Sequence, residues 1–246
     1  MLENPGMGEQ ALNKAAEIGL SSQLDEVEKL DVNVKTDPLK VVQGQVDSVT
    51  IEGEGLVMQK DLRMEEMQME IDSVAINPLS VAFGKIELTK PTTGNARVVL
   101  TEADINRAFN SEYVSSQLQS QKINVNGKPT KITPQHIELS LPGEDKIALN
   151  AEILLAETSE SKQVAFSAIP RVSDNGQSVA LENVDYSERE EISPELTKAL
   201  IEQTSQILNL SNFDLKGMSL RLKQLIVEVG KLTLQAEAYV EQIPST

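Results

Sequence analysis

The sequence predicts an α+β protein: a long, strongly curved antiparallel β-sheet wrapped around a C-terminal α-helix, with additional short helices. Three observations point there. Segments of period-two alternation come in groups separated by segments of helical period, which is not the one-by-one alternation of βαβ units. The stretch from Ser193 has an N-cap serine, Pro194 as first helical residue, and Glu188, Glu190, Glu191 and Glu195 crowded at the end where a helix dipole favours negative charge. Its apolar residues, Leu196, Ala199, Leu200, Ile201, Ile207, Leu208 and Leu210, spread over an arc of roughly 200°, about twice what one flat sheet covers. From Met218 to Val240 the alternation then changes parity near Gln224 and again at Gly230, the pattern of one long strand bent by two bulges. Bulges and glycines are how a sheet curves.

Taken in order, Gly8–Leu30 reads as an amphipathic helix through Ala11, Leu12, Ala15, Ile18 and Leu24, weakened in its second half by Gly19. Alternation begins at Val32 and Val34, stops at Asp37-Pro38 and resumes from Val41. It continues through Val46, Val49, Ile51, Leu56 and Val57, with Gly53 and Gly55 as expected bulge points. Leu62 to Ile76 alternates with slips, and Val81–Leu88 and Gly94–Leu100 complete a first set of strands. Thr101 to Asp104 resembles a capping box with Asp in the place of Glu. Ile105, Ala108 and Phe109 form a helical face, and Tyr113, Val114 and Leu118 suggest a second short helix.

Asn126-Gly127 is the strongest hairpin signal in the chain. His136–Leu141, Lys146–Ala156, Gln163–Val172 and Ser178–Tyr186 alternate again, with a turn signal at Asp174-Asn175-Gly176. No linker, low-complexity tract or residue-level repeat stands out. Residues 1–30 are expected to form an N-terminal helical segment and residues 31–246 a single domain.

Composition excludes several functions. The formal charge of −16 opposes nucleic acid, which needs clustered Lys and Arg, and opposes general attraction to anionic membrane, so any docking is local. There is no Cys, and His136 is the only histidine, so neither a zinc enzyme nor a Ser-His-Asp assembly is supported. Adjacent acids such as Glu65-Glu66 and Glu190-Glu191 arise by chance among 38 carboxylates. Four Phe and three Tyr are too few for the aromatic platforms of a glycosidase. No phosphate-cradling or calcium-loop spacing occurs. The expected protein is not an enzyme and takes no cofactor or metal.

Two features invite a binding role. Met58, Met64, Met67 and Met69 gather four of the seven methionines in one short stretch. Methionine suits a wall that must fit variable apolar shapes, although it also fills ordinary cores. The window Tyr113–Ile137 holds no Asp or Glu and carries Lys122, Lys128 and Lys131 around the Asn126-Gly127 turn, a candidate tip for anionic headgroups as well as a polar connector. The opening MLENPGMGEQ has no charged-then-apolar secretion signal and no run reaches membrane-spanning length. The expected location is cytoplasmic, with peripheral membrane contact.

Val42–Val57 (VQGQVDSVTIEGEGLV) and Arg97–Phe109 (RVVLTEADINRAF), with the helix-then-strand end, resemble the LmeA-like phospholipid-binding family of bacterial, including cyanobacterial, proteins. The resemblance covers roughly residues 30 to 243. It implies a curved sheet around a helix, tubular lipid-binding in style, with acyl chains held in an apolar groove, and a part in lipid transfer or envelope maintenance. It supplies no catalytic residues. The expected groove lies between the Ser193–Leu210 helix and the sheet, lined by Met58, Met64, Met67, Met69, Phe83, Leu196, Leu200 and Ile207. The expected partner is phospholipid or fatty acid. One rival is an acidic protein-interaction scaffold with a fully packed core; another is a hydrolase whose cleft gathers carboxylates.

Overall fold

The computed structural model describes residues 7–82, 87–114, 122–125, 128–156, 158–186, 196–201 and 217–241. Helix α1 (Met7–Ser21) precedes β1 (Lys29–Lys35), α2 (Pro38–Val42), β2 (Gln45–Met58), β3 (Leu62–Ala75), α3 (Pro78–Ala82), β4 (Thr92–Thr101) and α4 (Glu102–Phe109). Strands β5 (Lys122–Val125), β6 (Lys128–Gly143), β7 (Lys146–Leu155), β8 (Glu160–Val172), β9 (Val179–Tyr186), β10 (Met218–Glu228) and β11 (Lys231–Val240) follow. They form two sheets rather than the single one the sequence suggests. The first has the order β1-β2-β3-β4-β11-β10, and the second is the meander β5-β6-β7-β8-β9, inserted in the chain between β4 and β10. Every strand pairing is antiparallel.

The expected long strand from Met218 to Val240 is a hairpin. The slip near Gln224 is a true irregularity in the β10–β11 register, between Leu222 and Gln224. The slip at Gly230 is instead the reversal itself, where Gly230 takes φ +71°. A tight turn and a bulge leave the same trace in the sequence, one change of parity beside a glycine, and only pairing distinguishes them. Two further expectations shift. The helix α1 stops at Ser21, short of Leu24, and Val41 and Val81 lie in the short helices α2 and α3 rather than in strands. Gly53 and Gly55 mark no register shift, although Gly55 sits at φ +61°. Residues 112–114 are helical as expected, while Leu118 and the Asn126-Gly127 turn lie outside the described residues.

The C-terminal helix is described over 196–201. Its buried Leu196 and Ala199 pack with Ile132, Ile137, Ala151, Ile153 and Val164 of β6, β7 and β8. The described turn therefore rests on the second sheet. Ser193, Pro194, Ile207, Leu208 and Leu210 lie outside the described residues, and among the described residues no sheet wraps around the helix.

Helix α4 joins the two sheets. Its start is the expected capping box: the Asp104 amide donates to the Thr101 hydroxyl at 3.1 Å, and the Thr101 amide donates to the Asp104 carboxylate at 3.0 Å. One flank of the helix then closes an edge of β6. The Asn106 amide side chain exchanges hydrogen bonds of 2.8 and 2.7 Å with the backbone of Leu139, and Asn110 does the same with Ile137 at 2.7 and 3.1 Å. Glu102 accepts from the Leu141 amide at 2.7 Å. Four residues of helix advance about 6 Å and two residues of strand about 6.6 Å, so side chains at every fourth helical position match alternate strand residues. The helix thereby satisfies strand groups that would otherwise form an open edge. Replacing both Asn106 and Asn110 with alanine is expected to lower the unfolding free energy by about 3 kcal/mol, read from denaturant melts, because buried backbone groups lose their partners.

Candidate functional site

The register of the first sheet places one residue from each strand in a continuous row: Val32, Ile51, Met69, Ala96, Ala236 and Leu222. All six are apolar. The flanking same-side rows are apolar too, one running from Leu30 through Met67 and Leu234 to Leu225, the other from Val34 through Ile71 and Ala238 to Leu220. Residues between them, such as Thr50, Gln68, Asn95 and Gln235, take the opposite face because side chains alternate along a strand. One face of a six-stranded sheet is thus a broad apolar layer.

Helix α1 covers part of that layer. Leu12, Ala16 and Leu20 pack against the cluster of Val32, Val34, Val46, Ile51, Val74 and Ile76. Asn13 and Glu9 accept hydrogen bonds from the Val34 and Thr36 amides at 2.8 and 3.2 Å, which caps the outer edge of β1. Toward β4 and β11 the side chains shrink. Ala96 stands opposite Ala236, and Gly94 opposite Ala238. Ala96, Val98, Leu234 and Ala236 are half-buried, between the half-buried Met67 and Met69 on one side and Leu222 and Leu225 on the other. Small residues flanked by long ones thus cross the middle of the layer.

Two open depressions flank this sheet. One, of about 450 Å³, lies beside α1 and includes Ile18, Val27 and Leu30 in its wall. Leu30 also belongs to the apolar cluster under α1, so the depression adjoins the layer. The other, of about 380 Å³, is lined mainly by residues of the polar face, Glu52, Gln68, Glu70, Asn95 and Arg97 among them, and also reaches Met69, Ala96 and Ala236.

The most strongly coupled charges sit at the end of the sheet beside α4. Arg63 donates to Glu65 at 2.7 Å, to Glu28 at 2.9 Å and to Asp104 at 2.9 Å. Burial pushes the Asp104 carboxyl up, but hydrogen bonds from Thr101 and from Arg63 outweigh it, and the group lies below its ordinary value. The three carboxylates, Glu65 foremost, raise Arg63 further. These are structural pairings that fix α4 to β3. Among the described residues, no three His, Asp or Glu side chains gather as metal ligands.

The structure distributes the residues expected to line a groove. Met67 and Met69 lie in the apolar layer. Met64 stands opposite Leu56, and Met58 opposite Leu62, toward the β2–β3 turn where Met58 is exposed. Leu196 and Leu200 belong to the core of the second sheet. Phe83 and Ile207 lie outside the described residues. The three lysines do share one hairpin, with Lys122 opposite Lys131 and Lys128 opposite Val125; the side chains of Lys122 and Lys128 are not described, and Lys131 is exposed. His136 is exposed on β6.

Sequence reasoning missed Ala96, Val98, Leu234 and Ala236. Their signal was there in part, as small residues two apart in both Gly94-Asn95-Ala96 and Ala236-Glu237-Ala238. Nothing local pairs those two strands. Among the described residues no helix is long and apolar enough to cross a membrane. No curated protein and no solved structure matches the chain. A family model described as LmeA-like phospholipid-binding does match it over residues 6–237, nearly its whole length, and the chain belongs to that family.

Proposed function

We propose that this protein binds phospholipid or fatty-acyl chains without catalysis, for lipid transfer or membrane maintenance. The acyl chain lies on the apolar face of the first sheet, along the small residues Ala96 and Ala236 and against Met67, Met69, Val98 and Leu234. The observation that carries this is the row of six apolar residues spanning all six strands, small in its centre and only partly covered by α1. Flexible methionines beside alanines can conform to a tail of varying length and unsaturation. Burying half of a sixteen-carbon chain at about 0.8 kcal/mol per CH₂ contributes roughly 6 kcal/mol, so no polar motif is required for useful affinity. Membership of a phospholipid-binding family supports the ligand class.

Native mass spectrometry of the purified full chain, before and after incubation with phospholipid, tests this. The expected result is a population carrying one or more lipids; a chain that neither retains nor takes up any lipid overturns the proposal.

The β5–β6 hairpin supplies an electrostatic contact in this scheme. Lys122 and Lys131 stand at paired positions of that hairpin, with Lys128 on the same two strands, so the three charges act on one patch of anionic headgroups. Replacing Lys122, Lys128 and Lys131 with alanine is expected to weaken binding to phosphatidylglycerol-containing vesicles at low salt by about fivefold per lysine, from about 1 kcal/mol each. Unchanged binding at low salt removes the hairpin from the scheme.

A further inference from the structure

One short pattern occurs twice beside the first sheet, at α2 and at α3. Asp37-Pro38-Leu39-Lys40-Val41 and Asn77-Pro78-Leu79-Ser80-Val81 share the order Asx-Pro-Leu-x-Val. Each folds the same way. The Asp37 carboxylate accepts from the Leu39 amide at 2.8 Å, and the Asn77 side chain accepts from the Leu79 amide at 3.1 Å. Proline then fixes the first residue of the short helix in each case.

The two turns lie back to back. The Ile76 amide donates to the Gly44 carbonyl at 2.7 Å, and Gly44, at φ +73°, approaches so closely that a Cβ there would lie 2.1 Å from the Ile76 carbonyl oxygen and 3.0 Å from Pro78 Cδ. Held in this way, the pair projects its apolar side chains outward. Leu39 is 75% exposed, Val42 76% and Leu79 73%. Large aliphatic side chains this exposed, on turns joined where Gly44 meets Ile76 and Pro78, are what a soluble surface avoids.

Position and charge select the occupant. The turns sit at the end of the first sheet where β2 begins and β3 ends, opposite the end where β4 leads into α4 and the second sheet. The buried Val34, Val46, Val74 and Ile76, with Leu88 packed on them, lie at the same end of the sheet as these exposed leucines. In a chain of net charge −16, residues 36–45 and 76–90 together carry two acidic and three basic residues. Both acids are engaged within the protein: Asp37 at the Leu39 amide, and Glu87 by the hydroxyl of Ser80 and the side chain of Asn77. Lys40 pairs with Asp47 at 2.6 Å. With Asp47 counted, acids and bases are equal in number here, so an otherwise acidic surface carries no excess negative charge where its most exposed leucines are. A protein partner would be met by a polar rim and complementary charge; a bilayer interface needs only apolar side chains and the absence of repulsion.

We propose that Leu39, Val42 and Leu79 form an apolar foot that inserts into the headgroup boundary of a lipid bilayer, placing the apolar layer of the first sheet in line with the membrane from which it takes lipid. This rests on the lipid-binding reading for its purpose, but its docking step is separately measurable. The probe is flotation of the full chain with phosphatidylcholine vesicles, at low and at high salt, comparing the parent with Leu39→Asp plus Leu79→Asp, and with Val229→Asp. Val229 is 77% exposed at the β10–β11 turn, the far end of the same sheet, and serves as the control.

The double variant is expected to lower vesicle partitioning by about tenfold or more at both salt concentrations, since a buried leucine side chain accounts for that much, while Val229→Asp leaves it unchanged. All three chains are expected to keep the parent's thermal midpoint and to bind monomeric dihexanoyl-phosphatidylcholine equally in native mass spectra. Undiminished flotation of the double variant overturns the proposal, as does a change in its oligomeric state with flotation intact, which marks the foot as a protein contact. A parent that binds the monomeric lipid yet does not float sinks the foot and spares the lipid site. A parent that floats through these leucines yet binds no monomeric lipid does the reverse.

Discussion

Substituting leucine for both Ala96 and Ala236 is expected to reduce acyl-chain uptake by at least tenfold while leaving a folded protein. The two alanines face each other across β4 and β11 at the centre of the apolar layer, and each is half-buried. Six added heavy atoms cover the middle of the layer from both strands, so a lipid tail loses the contacts of several CH₂ groups at about 0.8 kcal/mol each. Because the positions are only half-buried, the larger side chains meet less resistance than in a closed core, where overpacking costs about 1–3 kcal/mol. Uptake of a fluorescent fatty acid by the full chain is the measurement, with a thermal melt beside it. The paired control is Gln68→Leu, an exposed position on the opposite face of β3, which is expected to leave uptake unchanged. Equal uptake by the double variant would place the acyl chain elsewhere.

Loss of Asp104 is expected to be the most destabilising of these single substitutions, equal to loss of the Asn106 and Asn110 pair together. Its side chain is 6% exposed, pairs with Arg63 at 2.9 Å and completes the capping box of α4. Replacement by alanine removes a helix cap worth about 1 kcal/mol and breaks a mostly buried ion pair, lowering the unfolding free energy by about 3 kcal/mol in all. Arg63 keeps Glu28 and Glu65, which holds the loss at the lower end for buried pairs.

The pH dependence follows from the direction of the Asp104 shift. In the folded chain the carboxyl lies below its ordinary value of 3.8, because the hydrogen bonds from Thr101 and Arg63 exceed the upward push of burial. The unfolded chain therefore takes up the proton first as pH falls. The stabilisation from this group is present in full above about pH 4 and is lost as pH drops through the depressed folded value. Denaturant melts of Asp104→Asn across that range are expected to show a shallower acid limb than the parent; an identical limb would mean that other carboxylates set it.

Much of the local structure was legible in the sequence. Thr101 to Asp104 announced its capping box because hydrogen bonds three residues apart depend on neighbours alone. The turn at Asp174-Asn175-Gly176 closed as expected, with the Gly176 amide donating to the Ser173 carbonyl at 2.8 Å. The strands β4, β7, β8 and β9 fell where alternation placed them, since one buried face imposes period two, while β6 begins at Lys128, eight residues before the alternation at His136. The short helices α2 and α3 escaped notice, because Pro-Leu-x-Val-containing turns of five residues have no period to detect.

The site was less legible, and for one reason. Met67 and Met69 could be singled out by their composition, but the alanines beside them in the apolar layer acquire meaning only from register. Ala96 and Ala236 lie far apart in the chain, and their meeting depends on the β10–β11 hairpin joining the edge of β4 after the whole second sheet has been made. The sequence by itself determined the antiparallel character of the protein, the aliphatic nature of its interior, its acidity and its family. Tertiary pairing alone decided that there are two sheets, which strands are neighbours, and which apolar side chains share a face. Alternation fixes the side of a strand on which a residue lies, and says nothing of the partner across it.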